Sequence, residues 1–361
     1  MLVAGAVITV LGSMVMPWLT LASGGVAAAG ILALTVLAFR SYGVLFDATF
    51  PLLALAAVLL SSIAFRLFVT DKEGRKLRGV FGHYVSPAIL AEIESNPRAL
   101  KLGGEIRDVT VMFVDIENFT PLSEKLKPED LVHVINTLLD ACSKAILAER
   151  GTIDKYIGDA VMAFWNAPVP VADHQYHAAR AALGIRHAMA DLNKQPELAT
   201  LLKALGAKPL AVRVGLASGP ACVGNMGSTE RFDYSVLGET VNTASRAEGT
   251  CKRIGHDITI AGDISARTAT LACLYAGKVP MKGKSLVQPI HALIGSDHLA
   301  LSEEFKYLES AYGRIVQSIA KARGERQVTG NQGQLRELAQ QYPDLRHYFE
   351  ALPSRAGDFR S

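Results

Sequence analysis

Residues Gly151–Pro168 read GTIDKYIGDAVMAFWNAP. Two β-prone runs, TIDKYI and AVMAFW, meet at Gly158–Asp159, a dipeptide suited to a tight hairpin turn. Upstream, EIRDVTVMFVD reads as a strand ending on Asp115. Between strand and hairpin, PEDLVHVINTLLDACSKAILAERG places Leu131, Ile135, Leu138, Cys142, Ala145 and Ile146 at helical spacing. Gly151 then ends that helix. Downstream, DHQYHAARAALGIRHAMADLNK is a second amphipathic helix, and AVRVGLASGPACVGNMGS reads as two strand-like runs divided at Gly219–Pro220. VNTASRAEGTCKRIG is a third helix starting close behind Gly238, and DITIAG and VPMKGKSLVQPIHALIG supply later strands. The order β-α-β-β-α-β is the split-βαβ, ferredoxin-like arrangement, here with extra elements appended. The expected fold class is α+β: an antiparallel sheet with helices on one face.

The chain has 361 residues, a formal charge of +3 and a hydrophobic fraction of 50%. The charge is mild and no basic run is interleaved with aromatics, so nucleic acid is not an expected partner. The apolar excess lies in the first seventy residues. Residues 2–19 carry no charge, Gly25–Phe46 is interrupted only by Arg40, and Pro51–Thr70 is a third apolar run. Each approaches the roughly 20 residues needed to cross a bilayer, and the sequence therefore predicts an all-α segment of three transmembrane helices over residues 1–70. A cleavable signal peptide fits poorly, because the N-terminus lacks positive charge and two more runs follow. Lys72, Arg75, Lys76 and Arg78 follow the third run. By the positive-inside rule they place the rest of the chain in the cytoplasm, which predicts a multi-pass protein of the inner membrane. Residues 71–102 read as a linker and coupling helix, 103–295 as the main domain, and 296–361 as a tail of two amphipathic helices joined by a Gly-rich stretch. The tail suggests a helical pair of tetratricopeptide type or an appendage supporting a dimer.

Cys142, Cys222, Cys251 and Cys273 form no CxxC pair, which predicts reduced thiols rather than a zinc site or disulfide framework. His174 and His177 share a helix face at i, i+3, but no acidic or thiol partner accompanies them in sequence. They read as a solvated helix start rather than a metal site.

Two carboxylates sit at strand ends: Asp115 closing the first strand and Asp159 in the hairpin turn. In a ferredoxin-like sheet these strands are neighbours, so the carboxylates can converge. Mg²⁺ takes one or two carboxylates plus substrate phosphates, and a pair of such ions serves in-line displacement at phosphorus.

FVDIENFT, DKYIGDAVMAFW, RVGLASGPACVGNMGS, DYSVLGETVNTASR and MKGK, in this order over Gly104–Ile294, resemble successive motifs of the class III nucleotidyl cyclase catalytic domain. The resemblance implies an adenylate cyclase acting in signal transduction, converting ATP to 3′,5′-cyclic AMP and pyrophosphate with two Mg²⁺ or Mn²⁺ ions at a homodimer seam. It also implies roles for individual residues. Asp115 and Asp159 would bind the metals, with Ile116 beside them. The backbone after Asp115, including Phe119 and Thr120, would cradle phosphate. Asn242 would position the ribose and Arg246 would stabilise the transferring phosphoryl group, both from the partner chain. Lys155 would read adenine with Ser235, the residue three before Gly238, where many members carry Asp and another branch Thr or Ser. Asp233 is the competing position. Lys282 would contact the β,γ-phosphates, with Lys284 a weaker candidate. A guanylate cyclase is the nearest rival, opposed by Lys155, because guanine-specific members carry an acid there. A catalytically silent nucleotide-binding receptor domain is the rival of another class.

Overall fold

The computed structural model describes residues 17–44, 47–65, 103–117, 119–228, 230, 232–280, 287–321 and 331–359. The chain divides into two compact units, Met1–Val85 and Ser86–Ser361.

In the first unit, α1 (Pro17–Tyr42) and α2 (Thr49–Phe65) are apolar helices. At 1.5 Å per residue α1 is about 39 Å long, enough for a hydrocarbon core of about 30 Å. Its stretch Gly24–Tyr42 is long and apolar enough to cross a membrane, and α2 carries a shorter apolar stretch over Thr49–Ser61. Large side chains point outward, with Val26 74% and Leu34 70% exposed, the surface a lipid-facing helix presents. A Cβ on Gly24 would come within 2.7 Å of Leu59 Cδ1, so the two helices approach closely there. Where the sequence predicts three spans, two apolar helices are described. The first predicted run, residues 2–19, lies almost wholly outside the described residues, as does the linker over 71–102.

The second unit is built on β1 (Gly103–Glu117), α3 (Phe119–Ser123), α4 (Pro128–Ala148), β2 (Thr152–Ile157), β3 (Ala160–Trp165), α5 (His174–Leu192), α6 (Pro196–Ala204) and β4 (Ala211–Gly227). There follow β5 (Phe232–Leu237), α7 (Glu239–Ile254), β6 (Ile258–Ala261), β7 (Ala272–Pro280) and β8 (Val287–Gly295). The sheet order is β2-β3-β1-β4-β6-β8-β7, with β5 also paired to β4. The first four of these strands are antiparallel neighbours, as the ferredoxin-like arrangement requires.

Two expectations change. First, β4 is one seventeen-residue strand rather than two runs. Ala211–Asn225 of it pairs with β1 on one edge, while the other edge pairs first with β6 at Val214–Ala217 and then with β5 at Cys222–Gly227. Pro220 falls in the gap between those partners, where a missing N–H breaks no bond on that edge. Second, helices cover both faces of the sheet. Met112, Val114 and Ile116 of β1 pack with Leu138 and Ile146 of α4 and Ala178 and Ile185 of α5. The alternate residues Val109 and Val111 pack with Ala244, Ala247 and Ile254 of α7. That double burial is why VTVMFV is a nearly unbroken apolar run. Although α4 is long and apolar enough to pass a membrane-span test, it buries Val134, Leu138, Cys142 and Ile146 in this core.

The tail belongs to the second face. It comprises α8 (Asp297–Ala300), α9 (Glu303–Lys321), α10 (Gln332–Gln341), α11 (Arg346–Ala351) and a terminal 3₁₀ segment, Pro353–Phe359. Phe305, Leu308, Tyr312, Ile315, Tyr348, Phe349 and Leu352 join the cluster that holds α7 and β7. The Tyr312 hydroxyl lies 2.7 Å from both the Tyr275 carbonyl and the Tyr348 hydroxyl. Arg355, almost fully buried, donates to the Ala276 carbonyl at 3.1 Å with its guanidinium 5.4 Å from the Tyr348 ring centre. The tail thus completes a core instead of hanging from one. Tyr348→Ala is expected to destabilise the protein by about 3 kcal/mol or more, read as a lowered midpoint in thermal or urea unfolding.

Candidate active site

Asp115 stands near the end of β1, whose neighbour β3 pairs through Val114↔Val161. Gly158 turns the hairpin at φ +66°, a left-handed conformation that glycine adopts without strain. This turn brings Asp159 back to the end of β1, where its carboxyl feels the charge of Asp115. Partial burial pushes the Asp159 carboxyl up, and the Asp115 charge adds to the rise against the opposing Arg213 guanidinium. Two carboxylates that repel across a turn suit a divalent cation, which removes the repulsion and uses oxygen ligands. Among the described residues no third His, Cys, Asp or Glu completes such a cluster, so remaining ligands would have to come from phosphate or water.

Arg213 on β4 sits opposite Asp115 in register and ion-pairs with it. The Arg213 Nε lies 3.0 Å from Glu248 Oε1 on α7. Burial pushes the Glu248 carboxyl up, Arg213 pulls it down, and the Asp115 charge raises it further. Neither Arg213 nor Glu248 was a sequence candidate. Arg213 lies within the quoted RVGLASGPACVGNMGS motif, but only the register of β1 against β4 shows what it faces.

The second cluster forms on β2 and β5. Lys155 Nζ donates to Ser235 Oγ at 3.3 Å, bringing together the pair named from the sequence. Ser235 is 5% exposed, whereas Asp233 is exposed, which separates the two competing positions. A third member was missed. The Ser235 hydroxyl donates to Asp154 Oδ2 at 2.7 Å, and Lys155 Nζ is 3.3 Å from Asp154 Oδ1. Burial pushes the Asp154 carboxyl up, while the Ser235 hydroxyl and Lys155 ammonium pull it down. Consecutive strand residues normally face opposite ways, which hides Asp154 from a sequence reading. Here β2 slips register between Ile153 and Lys155 against β3, a bulge that re-aims side chains.

Asn242 and Arg246 lie on one face of α7 as expected, Asn242 exposed and Arg246 half-buried. Arg246 Nη1 pairs with Glu239 Oε1 at 3.0 Å. Among the described residues, no hydrogen bond or ion pair joins either residue to Asp115 or Asp159. Ile116 is in β1 with its side chain in the core, and the Phe119 ring is also core, so each offers only its backbone to a ligand. Thr120 is exposed on the short helix α3. Lys282 and Lys284 lie outside the described residues.

The histidines are not a solvated helix start. His174 Nδ1 is 2.7 Å from Thr110 Oγ1, and His177 Nδ1 is 2.8 Å from Glu149 Oε2. Their partners diverge, so no shared metal position results. All four cysteines are free, and burial pushes the thiols of Cys142, Cys251 and Cys273 up to about 12, leaving them protonated and inert.

The chain is 35% identical over 190 residues to adenylate cyclase 1 of Rhizobium meliloti (strain 1021), a match covering 52% of this chain and 28% of that protein. It is 34% identical over 185 residues to an adenylate cyclase of Anabaena cylindrica, covering 49% and 35%. The match thus spans about a third of each relative's length. A solved bacterial light-regulated adenylyl cyclase shares the fold, with a TM-score of 0.52, 24% identity and 63% of each chain covered. Residues 104–294, which contain both carboxylates, the Lys155–Ser235 pair and α7, match the model of the adenylate and guanylate cyclase catalytic domain, and the chain belongs to that family.

Proposed function

We propose that the protein is an adenylate cyclase, converting ATP to 3′,5′-cyclic AMP and pyrophosphate in signal transduction. The observation that carries the choice of base is the Lys155–Ser235 contact at 3.3 Å. The ammonium is a fixed donor for a ring nitrogen of adenine, and the hydroxyl stands beside it to take the exocyclic group. Asp115 and Asp159 would hold Mg²⁺ or Mn²⁺, two per site, with the Ile116 carbonyl beside them and substrate phosphate supplying further oxygens. Bound there, the ions would supply Lewis-acid chemistry, offsetting phosphate charge and favouring loss of the ribose 3′-hydroxyl proton.

The chain's own groups do the rest. Backbone N–H groups from Phe119 and Thr120 approach the phosphates. Asn242 orients the ribose so that its 3′-oxygen lines up with the α-phosphorus, and Arg246 places a guanidinium against charge growing on the phosphoryl group. Asn242 and Arg246 make no hydrogen bond or ion pair with the two carboxylates of their own chain, which suits a site completed across a two-fold homodimer, each chain lending its α7 to the other's β1–hairpin carboxylates. Lys282 of the partner chain is assigned to the β,γ-phosphates by resemblance alone. The apolar α1 and α2 anchor the enzyme in a membrane with the catalytic domain on the cytoplasmic side, as the basic residues 72–78 suggest.

The test is product identity. The purified full chain, incubated with Mn²⁺ and ATP or GTP, is expected to yield cyclic AMP and pyrophosphate from ATP. Cyclic GMP as the main product would overturn the reading of Lys155 and Ser235, and no cyclic product from a folded, nucleotide-binding dimer would overturn the enzymatic reading.

A further inference from the structure

A hydroxyl beside a base does not choose the base by itself. Ser235 Oγ has one proton and two lone pairs, so it presents a donor or an acceptor according to where its proton is held. Adenine offers a donor amino group at position 6 next to the acceptor N1. Guanine offers the reverse, an acceptor O6 next to a donor N1–H. The orientation of one proton therefore decides which purine fits.

We propose that Asp154 is the positioning residue that fixes this proton and so makes the pocket select adenine over guanine. The inference rests on the reading of Lys155 and Ser235 as the base pocket. Four observations carry it. Asp154 Oδ2 is 2.7 Å from Ser235 Oγ and receives its proton. Lys155 donates to the same oxygen at 3.3 Å, which occupies one lone pair and leaves one acceptor position for a ligand. The Asp154 side chain is fully buried, with Lys155 Nζ 3.3 Å from its other oxygen, so the ammonium lies close enough to offset part of the cost of burying the carboxylate. The β2 bulge turns Asp154 and Lys155, neighbours in sequence, toward the same hydroxyl. A buried carboxylate costs free energy unless it is paired. Its position behind the hydroxyl, and not in contact with solvent, suits an orienting role.

Ser235 differs in this from an Asp at the same position. An Asp there is an acceptor outright. Here the acceptor is a serine, and the carboxylate stands one residue before the lysine on the facing strand.

The test uses the full chain with Mn²⁺ and compares kcat/KM for ATP and GTP. The wild type is expected to prefer ATP; a preference for GTP would defeat the base-pocket reading itself, separately from the role of Asp154. In Asp154→Asn, an amide N–H facing the Lys155 ammonium would set donor against donor, so the carboxamide oxygen turns to Lys155 and its N–H to Ser235. The hydroxyl proton is then released toward the ligand. The ATP/GTP ratio is expected to fall about tenfold or more, with loss on ATP and gain on GTP, because mismatched polar groups in a closed site are strongly rejected. Adding Ser235→Asp to Asp154→Asn supplies an acceptor needing no orientation and is expected to restore the ATP preference. An equal fall with both nucleotides, leaving the ratio unchanged, would overturn the proposal by making Asp154 merely structural. If Asp154→Asn is inactive with both, the double variant decides: recovered, ATP-preferring activity supports the role, and no recovery overturns it.

Discussion

Asp159→Ala is expected to reduce cyclic AMP formation about a thousandfold or more while leaving the protein folded, since the proposed metal site loses one of two carboxylates and with it several kcal/mol of charge stabilisation. Burial and the Asp115 charge raise the Asp159 carboxyl above its ordinary value, so in the metal-free protein its ionised form opposes folding at neutral pH. That cost vanishes as pH falls and Asp159 takes up a proton. Removing the carboxyl removes the cost, so without metal the thermal midpoint of Asp159→Ala is expected to equal or exceed that of the wild type. A residue kept for packing would show the opposite, losing stability and activity together. Added Mn²⁺ is expected to raise the midpoint of the wild type and to have a weaker effect on the variant. Equal activity in wild type and variant would remove Asp159 from the site.

Gly215→Ala is expected to be severely damaging for a single added methyl group. Gly215 lies on β4 between Val214 and Leu216, paired with Phe113 of β1 and Thr259 of β6. A Cβ there would collide with the Glu248 amide nitrogen and the Ala244 carbonyl oxygen, and would lie 2.7 Å from Glu248 Cα. These are backbone atoms of α7, so no rotamer change relieves the clash. Overpacking of this kind typically costs about 1–3 kcal/mol and occasionally more; with three backbone atoms involved, a value at or above about 3 kcal/mol is expected. The alternative to unfolding is a displaced α7, which would move Asn242 and Arg246 and pull Glu248 from Arg213. Activity is therefore expected to fall even at temperatures where the variant remains folded. Unfolding midpoints and rates measured on the same preparations check both effects.

Much of the fold is legible because its central elements bury themselves on fixed periods. The β1 run, the Gly158–Asp159 turn and the α4 stripe each follow from spacing, and the neighbouring of Asp115 and Asp159 follows from the topology they build. Long-range burial is what spacing leaves out. The apolar faces of α9 and α10 are plain in the sequence, but nothing local says that they close over β7 and α7. Pro220 reads as a strand breaker until the change of partners from β6 to β5 is known. Asp154 is hidden because period-two alternation sends it away from Lys155, and a bulge, a defect in that period, reverses the assignment. Arg213 escapes for a related reason: its partner Asp115 is 98 residues distant in sequence, joined only by register. Ser235, by contrast, is picked out in the sequence by its distance from Gly238, and in the structure it is buried beside Lys155.

If each site takes its carboxylates from one chain and its Asn242–Arg246 face from another, two inactive variants complement each other when their chains pair. Asp159→Ala and Arg246→Ala chains are co-expressed with different tags, and dimers carrying both tags are confirmed before assay. In a mixed dimer, one site combines an intact Asp115–Asp159 pair with an intact Arg246, while the other carries both defects. Random pairing makes half the dimers mixed, each with one of two sites intact, so recovery to about a quarter of the wild-type rate is expected from two-fold symmetry. Mixed dimers that form and remain as inactive as their parents would rule out sites shared between chains, and would return all four residues to a single chain.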